Sequence, residues 1–223
     1  MIEQNIKNLL EEIPKFNPFG EKITVVAAVK FQTAEDINRA IGAGITDIGD
    51  NHVQEFRDKF DLIKGNPRRH FIGRLQTNKI KYLLGKCDLY QSVDRFSLAE
   101  KLSQMSVAKD VTSDILIEIN IGCEPSKGGF TPEEAQDAYE KIKSLPRLKV
   151  RGFMAMLPLD ANEEQCICLA KHMRGIYDNL RTYDADCTYL SMGMSGDWKI
   201  CVEAGSNMIR LGTSIFGERV HKN

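Results

Sequence analysis

No run of apolar residues in this chain approaches the roughly 20 residues that a membrane-spanning helix requires, so no membrane span is expected. Charge of one sign is lacking too: 30 Lys and Arg stand against 31 Asp and Glu, a formal net charge of −1. That balance gives neither the basic footprint of a nucleic-acid-binding protein nor a field that steers charged macromolecules. The first residues, Met1-Ile2-Glu3-Gln4-Asn5-Ile6, lack the basic and apolar regions of a secretory signal, and a cytoplasmic protein is expected. No linker, low-complexity tract or shift of composition divides the chain, which points to one domain over residues 1–223.

Cysteine is present six times, but 223 residues are too many for a disulfide-dependent miniprotein. Free thiols, acting as small buried hydrophobes, are the expectation. Cys166, Cys168 and His172 resemble a metal cluster only at first sight. On a helix the two cysteines point about 200° apart, and no second ligand pair follows at zinc spacing, so no metal site is expected.

What is present is a regular alternation of strand-like and helix-like segments. An amphipathic helix over 2–13 opens the chain, with Ile2, Ile6, Leu9, Leu10 and Ile13 on one stripe. Strands are expected at 23–29, 47–49, 70–73, 89–93, 115–120, 150–154, 189–191 and 208–211, with helices between them. Thr33 and Thr131-Pro132 carry helix-start signals. Such alternation implies parallel strands with right-handed crossovers. Eight units in 223 residues fit an α/β fold, a single (β/α)8 TIM-type barrel with an extra N-terminal helix. The alternative, an open doubly wound sheet, usually shows a glycine-rich turn after its first strand. Here that turn is Lys30-Phe31-Gln32-Thr33.

Lys30 ends the first apolar run, at the mouth of a core. Burial there disfavours an ammonium and favours the neutral amine that a carbonyl needs to form a Schiff base. Two small-residue turns follow the last two strands, Ser191-Met192-Gly193-Met194-Ser195-Gly196-Asp197 and Arg210-Leu211-Gly212-Thr213-Ser214. In barrels these are the loops that commonly hold phosphate. Ser195 and Thr213 bring hydroxyls and backbone N–H groups, and Gly212 allows close approach. A lysine and a phosphate cradle together suggest pyridoxal 5′-phosphate held at both ends. The plainer readings are a surface lysine with helix-capping turns, or a barrel that binds another phosphorylated metabolite with Lys30 as counter-ion. Arg210, inside the last strand, is either a structural ion pair or a donor to a cofactor ring nitrogen. Asn51 either hydrogen-bonds a phenolic oxygen or caps the helix that follows it. His70 is read as the structural start of the third strand, pointing away from the reactive end.

Taken together, the segments Val26–Lys30, Gly49-Asp50-Asn51-His52-Val53-Gln54-Glu55, His70-Phe71-Ile72-Gly73-Arg74-Leu75-Gln76-Thr77-Asn78-Lys79, Ser126–Phe130, Gly152–Met156, Leu190–Ser195 and Arg210–Gly217 closely resemble the pyridoxal-phosphate homeostasis protein family, also called proline synthetase co-transcribed homologues. The resemblance runs in order across nearly the whole chain. It implies the barrel of fold-type III pyridoxal-phosphate proteins, with Lys30 as the Schiff-base lysine and Asn51 near the ring. Ser195, Gly212 and Thr213 would hold the phosphate. Arg210 would face the pyridine nitrogen and keep it unprotonated, which weakens the ring as an electron sink. It further implies a non-catalytic role in vitamin B6 and amino-acid/keto-acid balance, as a monomer that delivers the cofactor to apo-enzymes. The alternative is an amino-acid racemase of the alanine racemase N-terminal-domain type. In those enzymes an opposing tyrosine comes from a separate C-terminal domain, whereas this chain ends at Asn223. Two positions depart from the family pattern: Val29 stands where serine is usual and Asp50 where glutamate is common. Val29 is expected to point away from Lys30.

Overall fold

The computed structural model describes residues 1–218, so the end of the domain expected over 1–223 lies outside the described residues. Eight strands close into a barrel in chain order: β1 (Thr24–Ala28), β2 (Asp47–Asp50), β3 (Arg68–Phe71), β4 (Leu89–Val93), β5 (Ser113–Ile119), β6 (Leu148–Ala155), β7 (Tyr189–Ser191) and β8 (Met208–Leu211). Every neighbouring pair is parallel, and β8 returns to β1 through Thr24–Met208 and Val26–Arg210. The helices are α1 (Ile2–Glu12), α2 (Ala34–Gly42), α3 (Val53–Lys59), α4 (Phe96–Ala108), α5 (Ala135–Lys143), α6 (Glu163–Arg181), α7 (Trp198–Glu203) and α8 (Thr213–Phe216). The extra helix α1 packs against α2 and α8. It buries Ile2 and Ile6 there, with Ile13 just past its end, while Leu10 of the expected stripe stays exposed. Among the described residues no helix is long and apolar enough to cross a membrane.

The strand period of two sorts the side chains into layers. In β1, Ala27 and the following Val29 face the helices, in a cluster with Ile37, Ile48 and Ile215. Val26 faces the barrel axis with Leu89, Leu116, Met154 and Met208, a small apolar layer inside the ring. Each such buried side chain contributes about 1.5–3 kcal/mol over its exposed form. Continuing the alternation places Lys30 on the axis side and Val29 on the helix side, as expected for the position that departs from the family pattern. Where β6 meets β7, Gly152 has φ +139°, and a Cβ there would lie 1.9 Å from the Tyr189 carbonyl oxygen. Only glycine permits that approach.

Three local expectations need correction. Between β3 and β4 stands a 3-10 segment, Thr77–Tyr82, instead of an α-helix. Thr131 and Glu134 do exchange reciprocal side-chain to backbone hydrogen bonds, but around a turn, and α5 begins only at Ala135. The cysteines are all free, yet Cys123 and Cys168 are exposed instead of buried. Both thiols sit on the solvent side, outside the reach of the core. Among the described residues no group of His, Cys, Asp and Glu is gathered in a way that could hold a metal ion.

Candidate functional site

At the C-terminal ends of the strands opens a cavity of about 400 Å³, within the roughly 300–1,000 Å³ range of small-molecule sites. Lys30, Asn51, Ser195, Arg210, Gly212 and Thr213 all line it, so the structure brings the six candidate residues to one place. Gln32, Ile72, Met156 and Met194 complete much of its wall; the last three lie in segments that carry the family resemblance, but no task is expected of them from the sequence.

Lys30 stands two residues beyond β1 and is half-buried. Its Nζ lies 4.8 Å from the centre of the Phe31 ring and makes no ion pair with a carboxylate among the described residues. Phe31 itself is held at φ +64°, the left-handed region that a bulky residue seldom adopts. Its N–H donates to Glu55 Oε2 at 2.8 Å, and Glu55 also accepts from Lys59 Nζ at 2.6 Å and pairs with His52 Nδ1 at 2.7 Å. Burial alone would raise the Glu55 carboxyl, but Lys59, His52 and the Phe31 N–H hold it below its usual range. Glu55 is thus the residue on α3 that fixes the turn carrying Lys30. Sequence reasoning quoted it within a motif without assigning it a task.

Asn51 makes no cap: α3 starts at Val53, its N-cap residue is His52, and the N-cap makes no side-chain hydrogen bond to the backbone of the first turn. The Asn51 side chain is left facing the cavity that it lines. Asp50, the other position outside the family pattern, is buried, and that desolvation pushes its carboxyl up to about 6.

Ser195 lies on the turn between β7 and α7. Asp197 fixes that turn by accepting from the Met194 N–H at 2.5 Å. Ser195 Oγ accepts from the N–H groups of Gly212 and Ser214, each at 3.3 Å, which gathers two backbone donors and a hydroxyl on one side of the cavity. Gly193, at φ +108°, closes the turn where a Cβ would press on Cys201 and Trp198 at 3.0 Å. Gly212 is different. A Cβ there would meet nothing nearer than Ala28 at 3.7 Å, so the protein leaves that space open toward the cavity. A concave set of N–H and O–H donors with room beside a glycine is suited to an anionic group.

Arg210 is only 5% exposed. Its Nη1 donates to Ser191 Oγ at 2.6 Å and its Nη2 to the Ala155 carbonyl at 2.9 Å. No carboxylate pairs with it among the described residues, so the structural ion pair is absent. Burial lowers its pKa, with Glu118 and Asp197 opposing from a distance; the guanidinium remains charged. Two of its five N–H donors are engaged, and the side chain lines the cavity. A buried cation with donors to spare is a costly arrangement unless a ligand supplies an acceptor.

His70 departs from its expected place. It is the third residue of β3, fully buried, and it bonds Asp47 Oδ1 at 2.9 Å and Gln91 Nε2 at 2.7 Å inside the barrel. The apolar flank Phe71-Ile72 concealed this in the sequence, because a polar residue before such a run looks like a strand boundary.

A closed parallel barrel with a lysine at the end of β1 and an anion cradle after β7 and β8 defines a class, and the comparisons agree with it. The family model described as alanine racemase, N-terminal domain, matches residues 2–220. Within that class the chain belongs to the pyridoxal phosphate homeostasis protein family. A relative from Aquifex aeolicus with that name is 39% identical over 197 residues, covering 87% of this chain and 86% of the relative. The structure of PipY from Synechococcus elongatus with pyridoxal phosphate bound superimposes with a TM-score of 0.84 at 27% identity, over 97% of this chain and all of that one. Alanine racemase of Clostridium difficile shares the fold, with a TM-score of 0.79 at 16% identity. It covers 99% of this chain, but only 56% of the racemase is matched.

Proposed function

We propose that this chain binds pyridoxal 5′-phosphate in the strand-end cavity, holds it covalently through Lys30 as a Schiff base, and serves intracellular vitamin B6 homeostasis without catalytic turnover. The observation that carries this is the convergence of an unpaired lysine, a buried arginine with free donors and a set of backbone N–H groups on one cavity of suitable size. The bound relative and the names of the curated relatives support it.

Bound pyridoxal phosphate supplies an electrophilic aldehyde on an electron-withdrawing ring. The chain's own residues then have separable tasks. Lys30 would supply the amine that holds the aldehyde. Ser195, Gly212 and Thr213 would hold the phosphate, with Ser195 Oγ giving up the Gly212 N–H that it accepts here, and Asn51 would orient the ring. Arg210, a donor only, would face the ring nitrogen and disfavour a proton there. Racemisation requires a proton acceptor on each face of the substrate carbon. Among the described residues lining the cavity there is no tyrosine, histidine or carboxylate to join Lys30, which supports custody over turnover. The same proposal takes the chain as a cytoplasmic monomer, one domain over 1–223, that hands the cofactor to apo-enzymes.

The test is an absorbance titration with pyridoxal phosphate, followed by α-deuterium exchange on L- and D-alanine. A saturable visible band with no exchange above free cofactor is expected. Robust exchange with turnover would reverse the assignment in favour of a racemase.

A further inference from the structure

Beneath the cavity, five side chains from five strands form one hydrogen-bonded line across the barrel. Arg210 Nη1 on β8 donates to Ser191 Oγ on β7 at 2.6 Å. Ser191 Oγ donates to Gln91 Oε1 on β4 at 2.7 Å. Gln91 Nε2 meets His70 Nδ1 on β3 at 2.7 Å, and His70 Nε2 meets Asp47 Oδ1 on β2 at 2.9 Å. Asp47 Oδ2 ends the line by accepting from Thr46 Oγ1 at 2.6 Å. All five are buried, and of them only Arg210 lines the cavity.

The line has one direction, and the guanidinium sets it. Arginine has no acceptor, so Ser191 accepts from it and turns its own hydrogen to Gln91. The Gln91 amide must then present oxygen to Ser191 and its NH2 to His70. That leaves His70 Nδ1 as an acceptor and places the ring proton on Nε2, toward Asp47. A proton on Nδ1 would face the Gln91 NH2 and force the amide to turn. Ser191 would then meet donors on both sides, with no acceptor left in the line for its own hydrogen.

We propose that Ser191, Gln91 and neutral, Nε2-protonated His70 are positioning residues that fix the Arg210 guanidinium toward the cofactor ring. This rests on the placement of pyridoxal phosphate above. The charged groups around the imidazole are Asp47 on β2, Arg68 on β3 itself and Asp88 just before β4. Burial outweighs the pull of Asp47 and lowers the imidazole pKa, in keeping with a neutral ring.

The first readout needs no cofactor. Two-bond ¹H–¹⁵N spectra of the apo-protein should show His70 with a bare Nδ1 and a protonated Nε2. A proton on Nδ1, alone or in an imidazolium, would overturn the proposal. Arg210 side-chain ¹⁵N signals should show hindered guanidinium rotation in the wild type and faster rotation in Ser191→Ala; equal rotation counts against it. In the loaded protein, Ser191→Ala should release pyridoxal phosphate about tenfold faster, equivalent to about 1.4 kcal/mol, and Ser191→Thr should restore slow release. Gln91→Leu, which touches no cavity wall, should also speed release severalfold. Leu116→Ala, a cavity in the apolar layer, should lower stability and leave release unchanged. Wild-type release rates in both Ser191→Ala and Gln91→Leu would refute the positioning role. Failure of the wild type to take up cofactor would instead refute the placement of the ligand, with the imidazole and guanidinium signals still deciding the line itself.

Discussion

Glu118 stands on β5 with 8% of its surface exposed. Burial pushes its carboxyl up from an ordinary 4.5 to about 7, with Asp94 adding to the rise and Arg210 and Arg74 opposing it. The sign follows from proton linkage. Below pH 4.5 the carboxyl is protonated in both folded and unfolded chains and carries no penalty. As pH rises toward 7 the unfolded chain gives up its proton while the folded one keeps it, so stability falls; above 7 the loss is complete. Replacing Glu118 with Gln removes this burden at the same shape. The expected gain is about 1 kcal/mol at pH 5 and about 3 kcal/mol at pH 8. The attraction to Arg210 is already part of the rise to about 7 and changes neither figure. For a chain of this size 1 kcal/mol moves Tm by roughly 2–4 °C. Thermal melts of apo-protein and Glu118→Gln across pH 5–8 measure it. A gain that grows with pH is expected; a constant gain, or a loss at pH 8, would refute the burial argument.

Two glycine substitutions separate stability from cofactor binding. At Gly73 a Cβ would fall 2.0 Å from the Asn51 carbonyl oxygen and 2.7 Å from its Cα, so Gly73→Ala must displace the Asn51 backbone. A cost of about 1–3 kcal/mol is expected, together with weaker pyridoxal phosphate binding, read by urea denaturation and absorbance titration on the same sample. Gly212→Ala meets only Ala28 at 3.7 Å, so apo-protein stability should change by no more than about 0.5 kcal/mol. Its methyl enters the cavity, and the affinity for pyridoxal phosphate should fall at least about tenfold. Unchanged affinity would show that the phosphate does not lie against this glycine.

The eight strands were legible because a parallel sheet covered on both faces writes itself as short, nearly continuous apolar runs. β4, β7 and β8 fall on the expected residues, and the β1 run 23–29 exceeds the observed Thr24–Ala28 by one residue at each end. The six candidate site residues were legible for a related reason, since a lysine at a strand tip and small-residue turns after the last two strands break that pattern visibly. The polar interior was not. His70 reads as the start of a strand, and Gln91 and Ser191 read only as members of the runs 89–93 and 189–191, with no sign that they point inward and meet. Their partners lie 19 to 100 residues apart along the chain, a separation that no local pattern reports. The segment after β3 takes the 3-10 form over Thr77–Tyr82, a difference in hydrogen-bond spacing that the apolar pattern does not report. Cys168 was misplaced because it sits on the outer face of α6, two residues from buried Cys166.

The most direct measurement is reduction of the pyridoxal-phosphate-loaded protein with borohydride, followed by peptide mass mapping. A single stoichiometric phosphopyridoxyl adduct on Lys30, lost in Lys30→Ala with the fold intact, is the expected result. Adducts scattered over surface lysines, or none, would contradict Lys30 as the anchor and assign the cavity to a different phosphorylated ligand.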